Sequence, residues 1–102
     1  MFIGSLLFFL AGVVVANGIP HFVKGIIGSR HKTPFKNPSS APANALWGSA
    51  NFFIGFWISV WAMTFGIPFP IAGTLVIAGM LLTGYLLACH WHDDPVAKGE
   101  QK

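Results

Sequence analysis

The chain has 102 residues, of which 54% are hydrophobic and only 9% charged, with a net charge of +3 and ten phenylalanines beside four tryptophans. A soluble domain of this size needs more polar surface than that to stay dispersed, so the composition excludes one. The six basic residues are too few, and too close to apolar runs, to form a nucleic-acid surface.

Charge placement sets the organisation. No Asp, Glu, Lys or Arg occurs in residues 2–23 or in residues 37–92. A bilayer span takes roughly 20 apolar residues, so the first stretch holds one span and the second holds two. The expectation is a single all-α membrane domain of three transmembrane helices, at about residues 2–21, 45–66 and 71–90.

The first span carries a small-residue triplet at Val14, Val15 and Ala16 that resembles a signal-peptide cleavage site. No basic segment precedes it, and Lys24, Arg30 and Lys32 follow it, a pattern that suits an uncleaved anchor. Residues 28–43, punctuated by Gly28, Pro34, Pro38 and Pro42, read as a loop. Residues 21–27 either extend the first helix or lie along the interface. The "GIPFP" segment, residues 66–70, reads as a tight turn because closely spaced prolines interrupt a helix. Residues 91–102 form a polar tail.

All six Lys and Arg fall in the loop after span one or the tail after span three. An odd number of spans puts those segments on one side, and the opposite side has no Lys or Arg. The positive-inside rule therefore predicts an outside N-terminus, with loop and C-terminus in the cytoplasm.

In span two, Gly48, Asn51, Gly55, Ser59 and Ala62 recur at helical spacing and form a small-residue stripe. Phe53, Phe56 and Trp57 lie elsewhere on that helix, towards lipid or a partner. Span three places Gly73, Ile77, Met80, Gly84 and Ala88 on one face and Gly79 with Thr83 on another. Packing within a three-helix bundle accounts for most such seams, although two small-residue faces on one span also suit an outside partner.

Polar residues inside the spans come next. Asn17 and His21 lie one turn apart around Pro20, which leaves the carbonyl of Ala16 without its usual donor. Asn17 or a neighbouring helix could satisfy that carbonyl, and Asn51 is placed to hydrogen-bond across helices. A helix end near the cytoplasmic face explains Asn17 and His21, and a ligand site is the alternative. No carboxylate lies inside a span, which argues against proton-coupled export.

The stretch "ACHWHDD", residues 88–94, has the composition of a metal site. Its spacing argues against one, since His90 and His92 point about 200° apart on a helix. With Tyr85 and Trp91 nearby it reads as a membrane boundary. The predicted topology also brings His21 and His90 to the same face, where they could ligate one haem iron from two sides. Cys89, the sole cysteine, rules out an internal disulfide and makes a weak case for a nucleophile.

The motifs "NGIPHF" (residues 17–22), "TPF" (33–35) and "LWG" (46–48) with Asn51 resemble an uncharacterised family of small bacterial integral membrane proteins. That resemblance covers residues 17–55 and implies a bacterial inner-membrane location but no activity. The combined expectation is a non-enzymatic accessory or structural subunit without a cofactor, partnered by the bilayer and by other membrane subunits or copies of itself. A haem- or metal-associated redox protein, and an oligomeric channel lined by Gly48, Asn51, Gly55 and Ser59, are the alternatives.

Overall fold

The computed structural model describes residues 1–93; readings that involve Asp94, Lys98 and Lys102 lie outside the described residues. It contains α1 (Phe2–Ile26), a hairpin of β1 (His31–Thr33) and β2 (Lys36–Ser39), α2 (Ala41–Met63) and α3 (Phe69–Trp91). Each of the three helices is long and apolar enough to cross a membrane.

Helix α1 runs straight through Pro20 rather than ending there. Its 25 residues span roughly 37 Å at 1.5 Å per residue, more than the roughly 30 Å hydrocarbon layer. The C-terminus is closed by two bonds, Ser29 N–H to Lys24 O at 2.8 Å and Gly28 N–H to Gly25 O at 3.1 Å. Gly28 sits at φ 80°, the left-handed position that this capping motif requires.

Residues 28–43 are not the plain loop that their prolines suggest. His31 pairs with Ser39 and Thr33 with Lys36 in an antiparallel hairpin turned by Pro34 and Phe35. Side-chain hydroxyls hold it: Phe35 N–H donates to Thr33 Oγ1 (3.2 Å), Thr33 Oγ1 lies 2.6 Å from Ser39 Oγ, and Ser39 Oγ donates to Lys36 O (3.0 Å). Period-two hydrophobicity is absent here because the buried residues are His31, Thr33 and Ser39, all polar, so the pattern gave no strand signal. Helix α2 then starts at Ala41, earlier than the expected residue 45. Ser40 is its N-cap, accepting from Ala43 N–H at 3.3 Å, and Pro42 occupies the first turn, where no N–H is needed. Helices α2 and α3 are separated by residues 64–68, with Gly66 at φ 73°.

Helix α1 lies between the other two. It packs along both α2 and α3, while α2 and α3 barely meet. Glycine sets the approach on each side. A Cβ on Gly12 would strike the Val76 backbone of α3, and one on Gly79 would strike the Phe9 carbonyl of α1. On the other side, Gly18 and Gly48 meet Asn51 and Phe22, and Gly55 meets Val15. Lipid is as apolar as leucine, so this close packing, rather than the hydrophobic effect, holds membrane helices together.

The two ends of the assembly are closed differently. Leu7, Phe8, Ala62 and Ala72 form an apolar cluster near the 64–68 turn, with Ile58, Ile67, Leu75 and Val76 against it. At the hairpin end the buried residues are polar: His21, Ser29, His31, Thr33, Ser39 and Asn44.

Gly12→Val should destabilise the chain by about 1–3 kcal/mol, the usual cost of overpacking, whereas Gly84→Ala, with no atom within 4 Å of the added methyl, should be neutral or slightly stabilising. Thermal unfolding of both variants in the same detergent, followed by near-ultraviolet circular dichroism, compares them directly.

Candidate functional site

The polar end is organised by Asn44, which among the described residues is the one large side chain that is 0% exposed. It lies on the first turn of α2, beneath the hairpin. Its two Nδ2 hydrogens are shared among three carbonyls, His31 O (2.9 Å), Ser39 O (3.1 Å) and Ser40 O (3.0 Å), one hydrogen lying in a three-centre bond. Three carbonyl partners fix which side of the amide is nitrogen, so Oδ1 faces the other way. There it lies 2.9 Å from Nδ1 of His21 on α1. An amide oxygen only accepts, so Nδ1 of His21 carries the hydrogen and donates it. In the neutral ring Nε2 is then an acceptor. Asn44 ties the hairpin, α2 and α1 together in this way and selects the tautomer of His21. Buried in low dielectric, such a network stabilises when every member is satisfied and costs heavily when one is removed.

A pair of amides lies further along the bundle, one turn from His21 on α1 and two turns from Asn44 on α2. Asn51 Nδ2 donates to Trp47 O within α2 (2.9 Å), and its Oδ1 accepts from Asn17 Nδ2 of α1 (3.2 Å). Asn17 thus reaches across to α2 and does not serve the carbonyl that Pro20 strands. The same logic orients Asn17: its Nδ2 faces α2, and its Oδ1 has no partner among the described residues.

These side chains border a cavity of about 310 Å³ between α1, the hairpin and the C-terminal part of α3. Asn17, His21 and Lys32 contribute polar groups, and Trp47, Leu87 and Trp91 form apolar walls. His31, 2% exposed, sits in the centre of a ring series. His21 to His31 is 5.0 Å between centroids, His31 to Trp91 is 4.8 Å, and Trp91 to His90 is 4.5 Å.

That series bears on the haem reading. His21 and His90 do border one cavity, but bis-histidine haem ligation needs the macrocycle between the two rings. Here the succession from His21 to His90 is filled by the imidazole of His31 and the indole of Trp91. The residues present do not fit a haem held by this pair. Among the described residues, no group of three or more His, Cys, Asp or Glu is arranged to hold a metal ion. His92 turns away from His90, its Nδ1 donating to Cys89 O at 2.9 Å and its Nε2 meeting Asp93 at 2.9 Å. Cys89 is exposed.

The Gly48–Asn51–Gly55 stripe faces α1 and is filled by it, and Ser59 returns its hydroxyl to Gly55 O of its own helix at 3.0 Å. It lines no lumen within the chain. Helix α3 corrects another expectation. Gly79 packs on α1, but Gly73 and Gly84 have nothing within 4 Å. Their face is not used inside the bundle; it carries two shallow grooves bordered by Gly73, Ile77, Leu81 and Gly84.

Asn44 escaped the sequence reading, which ended the loop at residue 43 and began the second span at residue 45. The available signal was the Ser40–Pro42 helix start, which puts Asn44 on the first turn beside its own cap. Compared with protein-family models, curated proteins and solved structures, the chain matches none.

Asn44→Ala removes the donor to three carbonyls and the acceptor of His21. At about 1 kcal/mol for each lost bond, plus the desolvation of what remains, the expected cost is about 2–4 kcal/mol. Faster amide hydrogen exchange across residues 31–39 should accompany it. Asn51→Leu removes one interhelical bond and should cost only about 0.6 kcal/mol, an average for bonds within membranes.

Proposed function

We propose that this chain is a small, non-enzymatic integral membrane subunit that packs against a transmembrane helix of a larger complex through the outer face of α3. The observation that carries this reading is the contrast among its helix glycines. Gly4, Gly12, Gly18, Gly25, Gly48, Gly55 and Gly79 each stand against a neighbouring atom. Gly73 and Gly84 do not, although they share a face with Ile77. A glycine inside a helix costs roughly 0.5–1 kcal/mol relative to alanine. A pair on one open face is best explained by a helix that approaches there, as α1 approaches Gly79.

The asymmetric shape supports the same reading. Only Ala72 and Gly79 of α3 are buried, so one packed side leaves most of its circumference available. In the proposed arrangement the chain is multi-pass in the bacterial inner membrane, a location suggested by the motif resemblance. Lys24, Arg30, Lys32 and Lys36 lie on the cytoplasmic side, as the positive-inside rule requires, with the N-terminus outside.

Native mass spectrometry of a mild-detergent extract from source membranes tests the proposal. The expected result is a heteromeric mass that is lost in Gly84→Leu while the thermal stability of the isolated chain is unchanged. A homo-oligomer would replace the larger complex by a second copy on the same face, and a monomer throughout would refute the proposal. Orientation is tested separately: a cysteine at Lys36, in a Cys89→Ser background, should react with an impermeant maleimide only from the cytoplasmic side.

A further inference from the structure

The cavity at the hairpin end is absorbed neither by the α3 interface nor by the packing of the helices. Its chemistry is specific because two amide networks orient its polar walls. Asn44 holds the hydrogen of His21 on Nδ1, which leaves Nε2 as an acceptor with no partner among the described residues. His21 is only 7% exposed, and it borders the cavity. Asn51 holds the Nδ2 of Asn17, which leaves the Oδ1 of Asn17 as a second acceptor bordering the same space. The two residues are four apart on α1, so they lie on one helix face about one turn, roughly 5.4 Å, apart.

A ligand for this wall must donate hydrogen bonds. An anion such as phosphate would find the ammonium of Lys32 at the cavity, but it is poorly matched to this wall, because neither acceptor presents a hydrogen to it. An ammonium group is opposed by Lys32, which borders the cavity, and no Asp or Glu among the described residues lines it. A neutral hydroxyl remains. The other walls, with the indoles of Trp47 and Trp91 and with Pro20 and Leu87, are flat and apolar and suit an aromatic ring better than a sugar or glycerol. A volume of about 310 Å³ is at the small end of ligand pockets, which run from roughly 300 to 1,000 Å³, and takes one substituted ring. The cavity also lies beside the charged hairpin, at the depth where a membrane-soluble headgroup would enter.

We infer that this cavity binds the hydroxylated aromatic ring of a membrane-soluble phenol or hydroquinone, with one hydroxyl donating to Nε2 of His21. In a para-diol the second hydroxyl reaches Oδ1 of Asn17. The oxidised quinone, which has only acceptor oxygens, can bond to neither of these two acceptors and is held less tightly.

The unmodified protein in lipid nanodiscs tests this by isothermal titration calorimetry under anaerobic conditions, with empty nanodiscs subtracted. The probes are trimethylhydroquinone, its monomethyl ether and trimethylquinone. The expected order is diol, then ether, then quinone, with the quinone at least about tenfold weaker than the diol, the effect of a lost hydrogen bond against an unpaired buried acceptor. Equal binding of diol and ether would assign the site to a simple phenol and keep the role of His21. Quinone binding as tight as the diol, or no saturable binding of any probe, would overturn the inference. Asn17→Ala, which gives up a single half-buried bond, should reduce the diol to the affinity of the ether. An unchanged diol preference in that variant would remove Asn17 from the site. Neither result depends on whether α3 finds a partner, so the two proposals fail separately.

Discussion

Close backbone contact along α1 is the constraint on which the rest of the structure depends. In lipid there is no water to expel from between helices, so association must come from packing and from hydrogen bonds between them. Helix α1 provides both on opposite sides. Towards α3 it offers Gly12 and receives Gly79, a contact of backbone on backbone without polar side chains. Towards α2 it offers Gly18 and receives Gly48 and Gly55, and this closeness brings Asn17 within 3.2 Å of Asn51. Without the glycines, the amides could not meet.

The hairpin end follows from that geometry. Pro20 removes a backbone donor, yet α1 continues past it and carries His21 to the depth at which α2 begins. Asn44 sits on the first turn of α2, where helix N–H groups and nearby carbonyls need partners. One carboxamide serves three carbonyls and an imidazole there. It joins a two-stranded hairpin, which would be marginal alone, to two membrane helices. Lys24, Arg30, Lys32 and Lys36 surround this end in sequence. The opposite end has no such network and is closed by Leu7, Phe8, Ala62 and Ala72.

The arrangement leaves two regions unused by the fold, and they differ in kind. The outer face of α3 is apolar, and its open feature is missing volume at Gly73 and Gly84. The cavity beside His21 is polar, and its open feature is a pair of oriented acceptors. A neighbouring helix answers the first and a small hydrogen-bond donor the second. A membrane subunit can carry both, because they draw on different residues of α3.

The sequence by itself determined the class of the protein and its three spans, because long charge-free runs admit no other placement of so much apolar surface. It also displayed the small residues of α2 at helical spacing, since that periodicity is local. Tertiary structure decided which faces meet. Spacing alone could not tell Gly79, which α1 fills, from Gly73 and Gly84, which nothing fills, because all three are equally small and equally helical. It also decided the roles of the polar residues. Asn17 turned to Asn51 instead of the carbonyl freed by Pro20, and His21 was joined by Asn44 and His31 rather than facing His90 across an open slot. Those partners are distant in sequence, and a hydrogen bond between distant residues leaves no periodic trace in the chain.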